Sequence, residues 1–432
     1  MTRPAAFAAA ALSIVSCASV RPGMEDPEGR SLIRMGPRAD LDSYRSWIGP
    51  APAEPPPAAF TVHEKNGRWW IVAPSGRLFW ASALRRAGCG LDRGEPVTPY
   101  RDVLQRKWGS EAFPARCRDR ALERLIAWGF AAIGTESSES LFRENRLPFL
   151  TEGLAPDSLR VPLAAPGLPD GFIGDLVVKL APGSMHLNRW QTSPFCLGHP
   201  AKVRGGWEEL AAGVLSMPAD APAKKDWFLE LRTRYKTVAA LNAAWGLSAT
   251  SFETMRWPGN DRATEVARHD LASYRGRFAD WLYSAVAEAI RYGDNSHMVF
   301  GWKVVPGVTP PEVAAAIARK SDVVVVEIAD AEAGLPAVEK LAAELKRPLY
   351  VIASAAAAVG PADLPAAWAR AMEHLAAIPA VVGAEISSYL PNADGTAFVD
   401  WHDEPAALLA AAARKANDRL LRIHAGELTP VP

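Results

Sequence analysis

The chain has 432 residues, enough for one elaborated barrel or two ordinary domains, and its 48 Lys and Arg balance 48 Asp and Glu. That balance gives no electrostatic basis for a nucleic acid or an anionic surface as partner, and it leaves a neutral small or polymeric ligand open. The four cysteines, Cys17, Cys89, Cys117 and Cys196, show neither a CxxC pair nor a Cys/His ligand spacing, which supports neither a zinc site nor a dense disulfide framework. With Cys17 set aside, at most one disulfide is possible, and buried free thiols are expected. No Gly-x-Ser-x-Gly elbow, Walker loop or His-Glu-x-x-His pattern occurs, so neither a metal nor a cofactor is expected. The 15 Trp suit either core filling or stacking of indole faces on sugar rings.

Residues 1–17 begin with Arg3, run through an Ala-rich apolar stretch to Val15 and end Ile14-Val15-Ser16-Cys17. This is similar to a bacterial lipoprotein signal with a lipid-accepting cysteine, and it is too short to span a membrane. The resemblance implies export and a lipid anchor at Cys17, in the periplasm or outer membrane; an ordinary cleaved signal with secretion, or a frayed terminus, is the other reading. Membrane contact is then expected only through that anchor. Residues 18–59 are rich in Pro, Gly, Arg and Asp, culminate in Pro55-Pro56-Pro57, and read as a tether that buries little apolar surface. Residues 60–432 remain for the folded domain.

From Phe60 the texture changes. Asn66-Gly67 is a type I′ turn signal between Thr61-Val62 and Trp69-Trp70-Ile71-Val72, and Pro74-Ser75-Gly76 is a second turn before Leu78-Phe79-Trp80-Ala81. Together they predict a small antiparallel cap feeding the first strand of a larger sheet. Within residues 117–128, Ala121, Leu122, Leu125 and Ile126 have helical spacing, and Gly129 ends the run. Phe130 to Gly134 then reads as a second strand, with Glu136 just past it. Between residues 159 and 190 the prolines and glycines leave Val177-Val178 as part of a strand or of a shortened helix. Phe195-Cys196-Leu197 reads as a buried fourth strand ended by Gly198, with His199, Val203 and Arg204 in the loop beyond.

Residues 223–245 place Trp227, Phe228, Leu231, Tyr235, Val238, Leu241 and Trp245 at three- and four-residue steps, which predicts one long helix with an aromatic packing stripe. A second, over residues 270–292, carries Phe278, Trp281, Leu282, Val286 and Ile290. Met298 to Trp302 is the fifth strand, followed by Lys303, and Pro310-Pro311-Glu312 opens the next helix. The β-branched run from Asp322 to Glu327 reads as a buried parallel strand, with Asp330 after it. Strand seven is Pro348 to Ile352, before Ala353; strand eight is Ala380 to Ala384, before Glu385 and Tyr389. The alternation of strands and helices predicts an α/β chain folded as a (β/α)8 TIM barrel with a small N-terminal β-hairpin cap, and in such a barrel sites are built at the carboxyl ends of the strands.

Several phrases are similar to glycoside hydrolases of the beta-agarase type, glycoside hydrolase family 50, in the retaining barrel clan. They are the opening Asn66-Gly67-Arg68-Trp69-Trp70 with its Pro-x-Gly and aromatic strand, the run from Arg124-Leu125 through Trp128-Gly129-Phe130 to Ile133-Gly134, and the closing Phe398-Val399-Asp400 with Asn417, Arg419-Leu420 and His424-Ala425-Gly426. Residues 234–246 also resemble the beta-galactosidases of family 42. The likeness covers residues from about 60 to 426 and is poor over 159–190. The beta-agarase type carries an Asn-Glu pair, the glutamate being the general acid/base, between a Leu-Gly and a Trp. Aligned on Leu197, Gly198 and Trp207, that pair falls on Val203 and Arg204. The nucleophilic glutamate of strand seven falls on Ala353, and no Asp or Glu occurs between Arg347 and Gly360.

A retaining glycosidase needs two carboxyl groups about 5 to 5.5 Å apart, and a guanidinium cannot cycle a proton near neutral pH. The resemblance therefore implies a hydrolase-like envelope protein, impaired in catalysis, that binds an oligo- or polysaccharide or a partner at the barrel mouth. The candidate ligand-binding residues are Glu136, His199, Arg204, Lys303, Glu327, Glu385 and Tyr389. Two alternatives stand beside it: an active glycosidase on a galactan-type polysaccharide using relocated carboxylates, Glu327 and Glu385, with Asp330 and Glu136 nearby; and a structural envelope protein whose barrel is plugged by ion pairs in which Lys303 and Arg204 meet Glu327 or Glu385.

Overall fold

The structure is a computed structural model that describes residues 28, 31–32, 38–49, 55–88, 98–154, 182–202, 222–259, 261–354, 363–390 and 397–431. Three short strands, β1 (Thr61–Lys65), β2 (Arg68–Val72) and β3 (Leu78–Phe79), form an antiparallel sheet in that order. Asn66 and Gly67 at its first turn both have positive φ, 54° and 72°, as a type I′ turn demands.

Eight parallel strands then close into a barrel: β4 (Ala81–Arg85), β5 (Ala132–Ile133), β6 (Phe149–Leu150), β7 (Cys196–Lys202), β8 (Met298–Val304), β9 (Val323–Ile328), β10 (Leu349–Ala353) and β11 (Val381–Ser388). Around them run α1 (Thr98–Trp108), α2 (Phe113–Ala127), α3 (Glu139–Phe142), α4 (Pro222–Tyr235), α5 (Val238–Trp245), α6 (Glu265–Gly293), α7 (Pro311–Lys320), α8 (Leu335–Leu345), α9 (Leu364–Ala377) and α10 (Ala407–His424). The barrel and its hairpin cap are those expected.

Small residues on one wall face large ones on the other. Ala81, Ala83 and Ala132 share the interior with Leu197, Phe300, Tyr350 and Ile352, and the Phe300 and Tyr350 rings meet edge-on with centroids 5.9 Å apart. This is a packed barrel core rather than a pore. Phe60, Ile71 and Phe79 of the cap region belong to the same cluster and close the floor of the barrel, while Trp69 N–H donates to Pro379 O at 2.8 Å just before β11.

Five differences from the sequence reading have local causes. Residues 38–49, expected to be part of a tether, pack on the barrel domain: Leu41 and Trp47 are buried in its core, and Trp47 N–H donates to Leu78 O at 2.9 Å. The third strand is Phe149–Leu150, two residues long and too brief for any period to reveal; Val177-Val178 lies outside the described residues. Gly198 does not end the fourth strand, which continues through Pro200 to Lys202; a Cβ there would meet Met298 O at 2.2 Å, so this glycine permits close strand approach. The helical run of residues 223–245 is two helices, because Lys236 is left-handed (φ 63°) and extended Thr237 starts α5 by accepting from Ala240 N–H. Finally, Cys117 is disulfide-bonded to a partner outside the described residues, whereas Cys196 is a free, buried thiol. The expectation of free thiols therefore holds for Cys196 and fails for Cys117.

The aromatic stripe of α4 and α5 packs against α6. Trp227 stacks on Tyr274 at 4.7 Å, and Trp245 Nε1 donates to Asp270 Oδ2 at 2.9 Å, which removes these rings from any sugar platform.

Candidate active site at the barrel mouth

The carboxyl ends of β8 to β11 bring together the best-defined polar side chains of the mouth. In β8, Gly301 pairs with Val324 and Val304 with Val326, so two residues face Val325 alone. That bulge re-aims the strand and turns Lys303 toward β9, where it makes an ion pair with Glu327; both side chains are about a third exposed. Beside them Lys202 of β7 stands 3.6 Å from Glu152.

Glu385 of β11 lies two strands further round, across β10 from Glu327, and has no exposed surface. Its Oε1 accepts from Thr135 N at 2.9 Å and from Tyr350 Oη at 2.8 Å, and Oε2 accepts from Thr135 Oγ1 at 2.8 Å. Gly134 makes room for it: a Cβ there would sit 2.8 Å from the Glu385 carboxyl carbon. Burial raises the Glu385 pKa above the usual carboxylate range, and the donors from Thr135 and Tyr350 only partly offset that.

Glu136 follows β5, is exposed and has φ 61°. Arg86 and Ser387, close beyond β4 and late in β11, are also left-handed non-glycine residues, at 57° and 74°. The three lie at the ends of adjacent strands, where backbone strain of order 1–3 kcal/mol each is characteristic of functional rims.

Other candidates face outward from the barrel or are tied into a turn. His199 is within β7, fully buried, and its ring contacts Thr151 and Asp294, the residue that ends α6. It pairs in register with Val299, whose side chain packs on α6, and so it faces outward from the barrel. The sequence placed His199 past the strand because Gly198 looked like a stop. Tyr389 is also buried and outward: its hydroxyl accepts from Arg124 Nη1 at 2.9 Å, and Arg124 is tied to Asp403 at 2.6 Å. Asp330 accepts from Glu332 N and Ala333 N at 2.9 Å each, which fixes the turn leading to α8.

Ala353 ends β10 and packs in the cluster between strands and helices, while its neighbour Ile352 faces the interior. Val203, Arg204 and Cys17 lie outside the described residues. Thr135 and Tyr350, which hold Glu385, were not singled out from sequence; a lone tyrosine in a β-branched strand was the available sign. The cluster of Cys196, His199 and His297 also escaped, since His297 is a hundred residues away in sequence.

No protein-family model matches the chain. It is 22% identical over 340 residues to Beta-agarase A of Vibrio sp. (strain JT0107), the match covering 62% of this chain and 33% of that protein. The chain thus spans about a third of the length of that curated relative. The solved structure of an exo-beta-agarase superposes with a TM-score of 0.78 at 18% identity, covering 95% of this chain and 72% of its own. This is a beta-agarase-like fold. It is that of the family 50 exo-beta-agarases, and the chain is glycoside hydrolase-like. A beta-galactosidase from the Antarctic haloarchaeon Halorubrum lacusprofundi is more distant, with a TM-score of 0.51 at 13% identity over 72% of this chain and 57% of that one. Within the beta-agarase-like fold, the phrase around Arg124 is a buried structural clamp on α10's approach, since Arg124 Nη2 also donates to Asp403 O at 2.9 Å.

Proposed function

We propose that this chain is a catalytically impaired beta-agarase-like protein that binds a glycan at the barrel mouth. The observation that carries the reading is the state of the two carboxylates left to do chemistry: Glu385 is fully buried with three donors, and Glu327 is engaged by Lys303. Neither presents a free carboxylate to an anomeric carbon, and the strand-seven position is Ala353. The likeness to proteins named agarases supports a polysaccharide as the ligand class. Arg204, two residues beyond β7 in the sequence, would favour an anionic sugar, a uronate or sulfated galactose, because a guanidinium makes bidentate oxyanion contacts. The test is a glycan array followed by calorimetry on the wild type and Arg204→Ala. Binding of an anionic galactan that Arg204→Ala weakens supports the reading; silence with neutral and anionic glycans alike overturns it in favour of a plugged barrel.

One observation favours a second reading, an active glycosidase with relocated carboxylates. Glu327 and Glu385 flank Ile352 in one row, with backbones roughly 10 Å apart at two strand spacings. Inverting enzymes hold their carboxyl groups about 6.5 to 9.5 Å apart. The complete burial of Glu385 weighs against it. For location we propose export with a lipid anchor at Cys17.

A further inference from the structure

Outside the mouth, the described residues contain a buried group of three donors suited to a metal: Cys196, His199 and His297, whose ligand atoms all lie within 4.8 Å of one another. A regular strand would send Cys196 and His199 to opposite faces. The register slips between Phe149 paired with Cys196 and Leu150 paired with Gly198, so one residue of β7 is extra and both side chains turn outward. His297 comes from the turn between α6 and β8.

Asp294 holds the two imidazoles. Its Oδ2 meets His199 Nε2 at 2.8 Å and His297 Nδ1 at 2.8 Å, and its Oδ1 accepts from Ser296 N at 2.9 Å. The outer ring nitrogens are committed as well: His297 Nε2 faces Ser193 O at 3.0 Å, and His199 Nδ1 faces Thr151 Oγ1 at 2.8 Å. Ser193 O can only accept, and so can an ionised Asp294. His297 must therefore present a hydrogen on the outer side and either a hydrogen or a cation on the inner side.

We propose that Cys196, His199, His297 and Asp294 form a structural zinc site. The ion replaces the two protons between the imidazoles and Asp294, and is bound by Cys196 Sγ, His199 Nε2, His297 Nδ1 and Asp294 Oδ2. A thiolate, a carboxylate and two neutral imidazoles around Zn²⁺ make a neutral buried set, whereas an imidazolium–carboxylate contact alone gives the thiol no role. Binding releases two protons, one from the thiol and one from His297; His199 shifts its hydrogen to Nδ1 and donates to Thr151 Oγ1. The outer bonds to Ser193 and Thr151 then orient the ligating rings, the usual second support of a metal-bound histidine. A tetrahedral zinc needs donors roughly 3.3 to 3.8 Å apart, so the Cys196, His199 and His297 donors close by about 1 Å on binding and Asp294 swings in from its bonds to the two imidazoles as the fourth. Four protein donors leave no open position, which makes the site structural. It ties β7 to the α6–β8 junction.

The test begins with elemental analysis of the full chain, expressed with zinc and purified without chelator or metal-affinity resin. Cobalt substitution after demetallation and thermal melting follow. We expect one zinc per chain, a thiolate-to-cobalt charge-transfer band with strong tetrahedral ligand-field bands, and a melting temperature that falls on demetallation and recovers with Zn²⁺. Cys196→Ser should lose the charge-transfer band, and His297→Gln should change the ligand-field bands, with circular dichroism unchanged. Should either variant fail to fold, zinc-edge X-ray absorption of the wild type reads one sulfur and three nitrogen or oxygen neighbours directly. No stoichiometric metal and no cobalt spectrum, or a sulfur-free zinc environment, overturns the proposal and leaves a hydrogen-bonded cluster.

Discussion

Glu327 and Glu385 stand in one row of the barrel, each in register with Ile352 from opposite sides. Their surroundings are opposite: Glu327 is partly exposed beside Lys303, and Glu385 is sealed beneath Thr135 and Tyr350. Each substitution therefore has a different expected effect.

Glu385→Gln should be nearly isoenergetic at neutral pH, within about 1 kcal/mol. The amide oxygen keeps the Thr135 N–H and Tyr350 hydroxyl bonds, and the amide nitrogen donates to Thr135 Oγ1. Glu385→Ala leaves those donors facing a cavity and should cost about 2–5 kcal/mol. The sign with pH follows from a raised folded pKa: the wild-type contribution is greatest below the ordinary carboxylate pKa and is lost as pH rises through the raised value. Urea unfolding against pH should show Glu385→Gln gaining on wild type over that window; parallel curves would contradict the assignment.

Glu327→Gln removes a partly exposed ion pair and should change stability by about 0–1 kcal/mol. A loss well above that in denaturant titrations would mean that Lys303 is stranded in a drier site than its exposure indicates.

Arg124 has no exposed surface, and its guanidinium joins Asp403 at 2.6 Å and Tyr389 at 2.9 Å; Asp403 also takes Lys107 at 2.7 Å and the Tyr100 hydroxyl at 3.0 Å. Arg124→Met leaves a buried carboxylate short of its main partner and should destabilise by about 3–5 kcal/mol. Glycan affinity of the folded fraction should be unchanged, because this network lies outside the barrel wall. An Arg124→Met protein as stable as wild type in chemical denaturation would show that the network contributes little.

His424 is wedged between Trp69 O and Ala376 O at 2.8 Å each, against the Trp70 ring. Burial pushes its pKa down to about 4, outweighing the two carbonyls that favour the charged form. A folded pKa below the unfolded one means stability is lost as pH falls from about 6.5 toward 4, by up to about 3 kcal/mol. Imidazole chemical shifts of His424 that titrate near 6.5 in the folded state would refute this.

The barrel was legible because its strands carry long β-branched runs, as at Val323 to Val326, and because Asn66-Gly67 admits few conformations. What was hidden depends on contacts across the chain. β6 is two residues long, the Lys236 break has no glycine or proline to announce it, and the slip opposite Leu150 changes which face His199 occupies. His199 and Tyr389 were expected at the mouth because they follow the expected strand ends, whereas the bulge in β7 and the buried Arg124 turn them outward. Glu385 was singled out as a strand-end carboxylate, but its burial comes from Thr135 and Tyr350 on two other strands.

The impaired-catalysis reading is tested most directly by end-point and initial-rate hydrolysis of agarose oligosaccharides and aryl β-galactosides with highly purified protein. Wild type, Glu327→Gln and Glu385→Gln should all stay at the rate of the uncatalysed control. Turnover by the wild type that disappears in either variant while the variant remains folded would contradict the account and establish relocated carboxylates as catalytic.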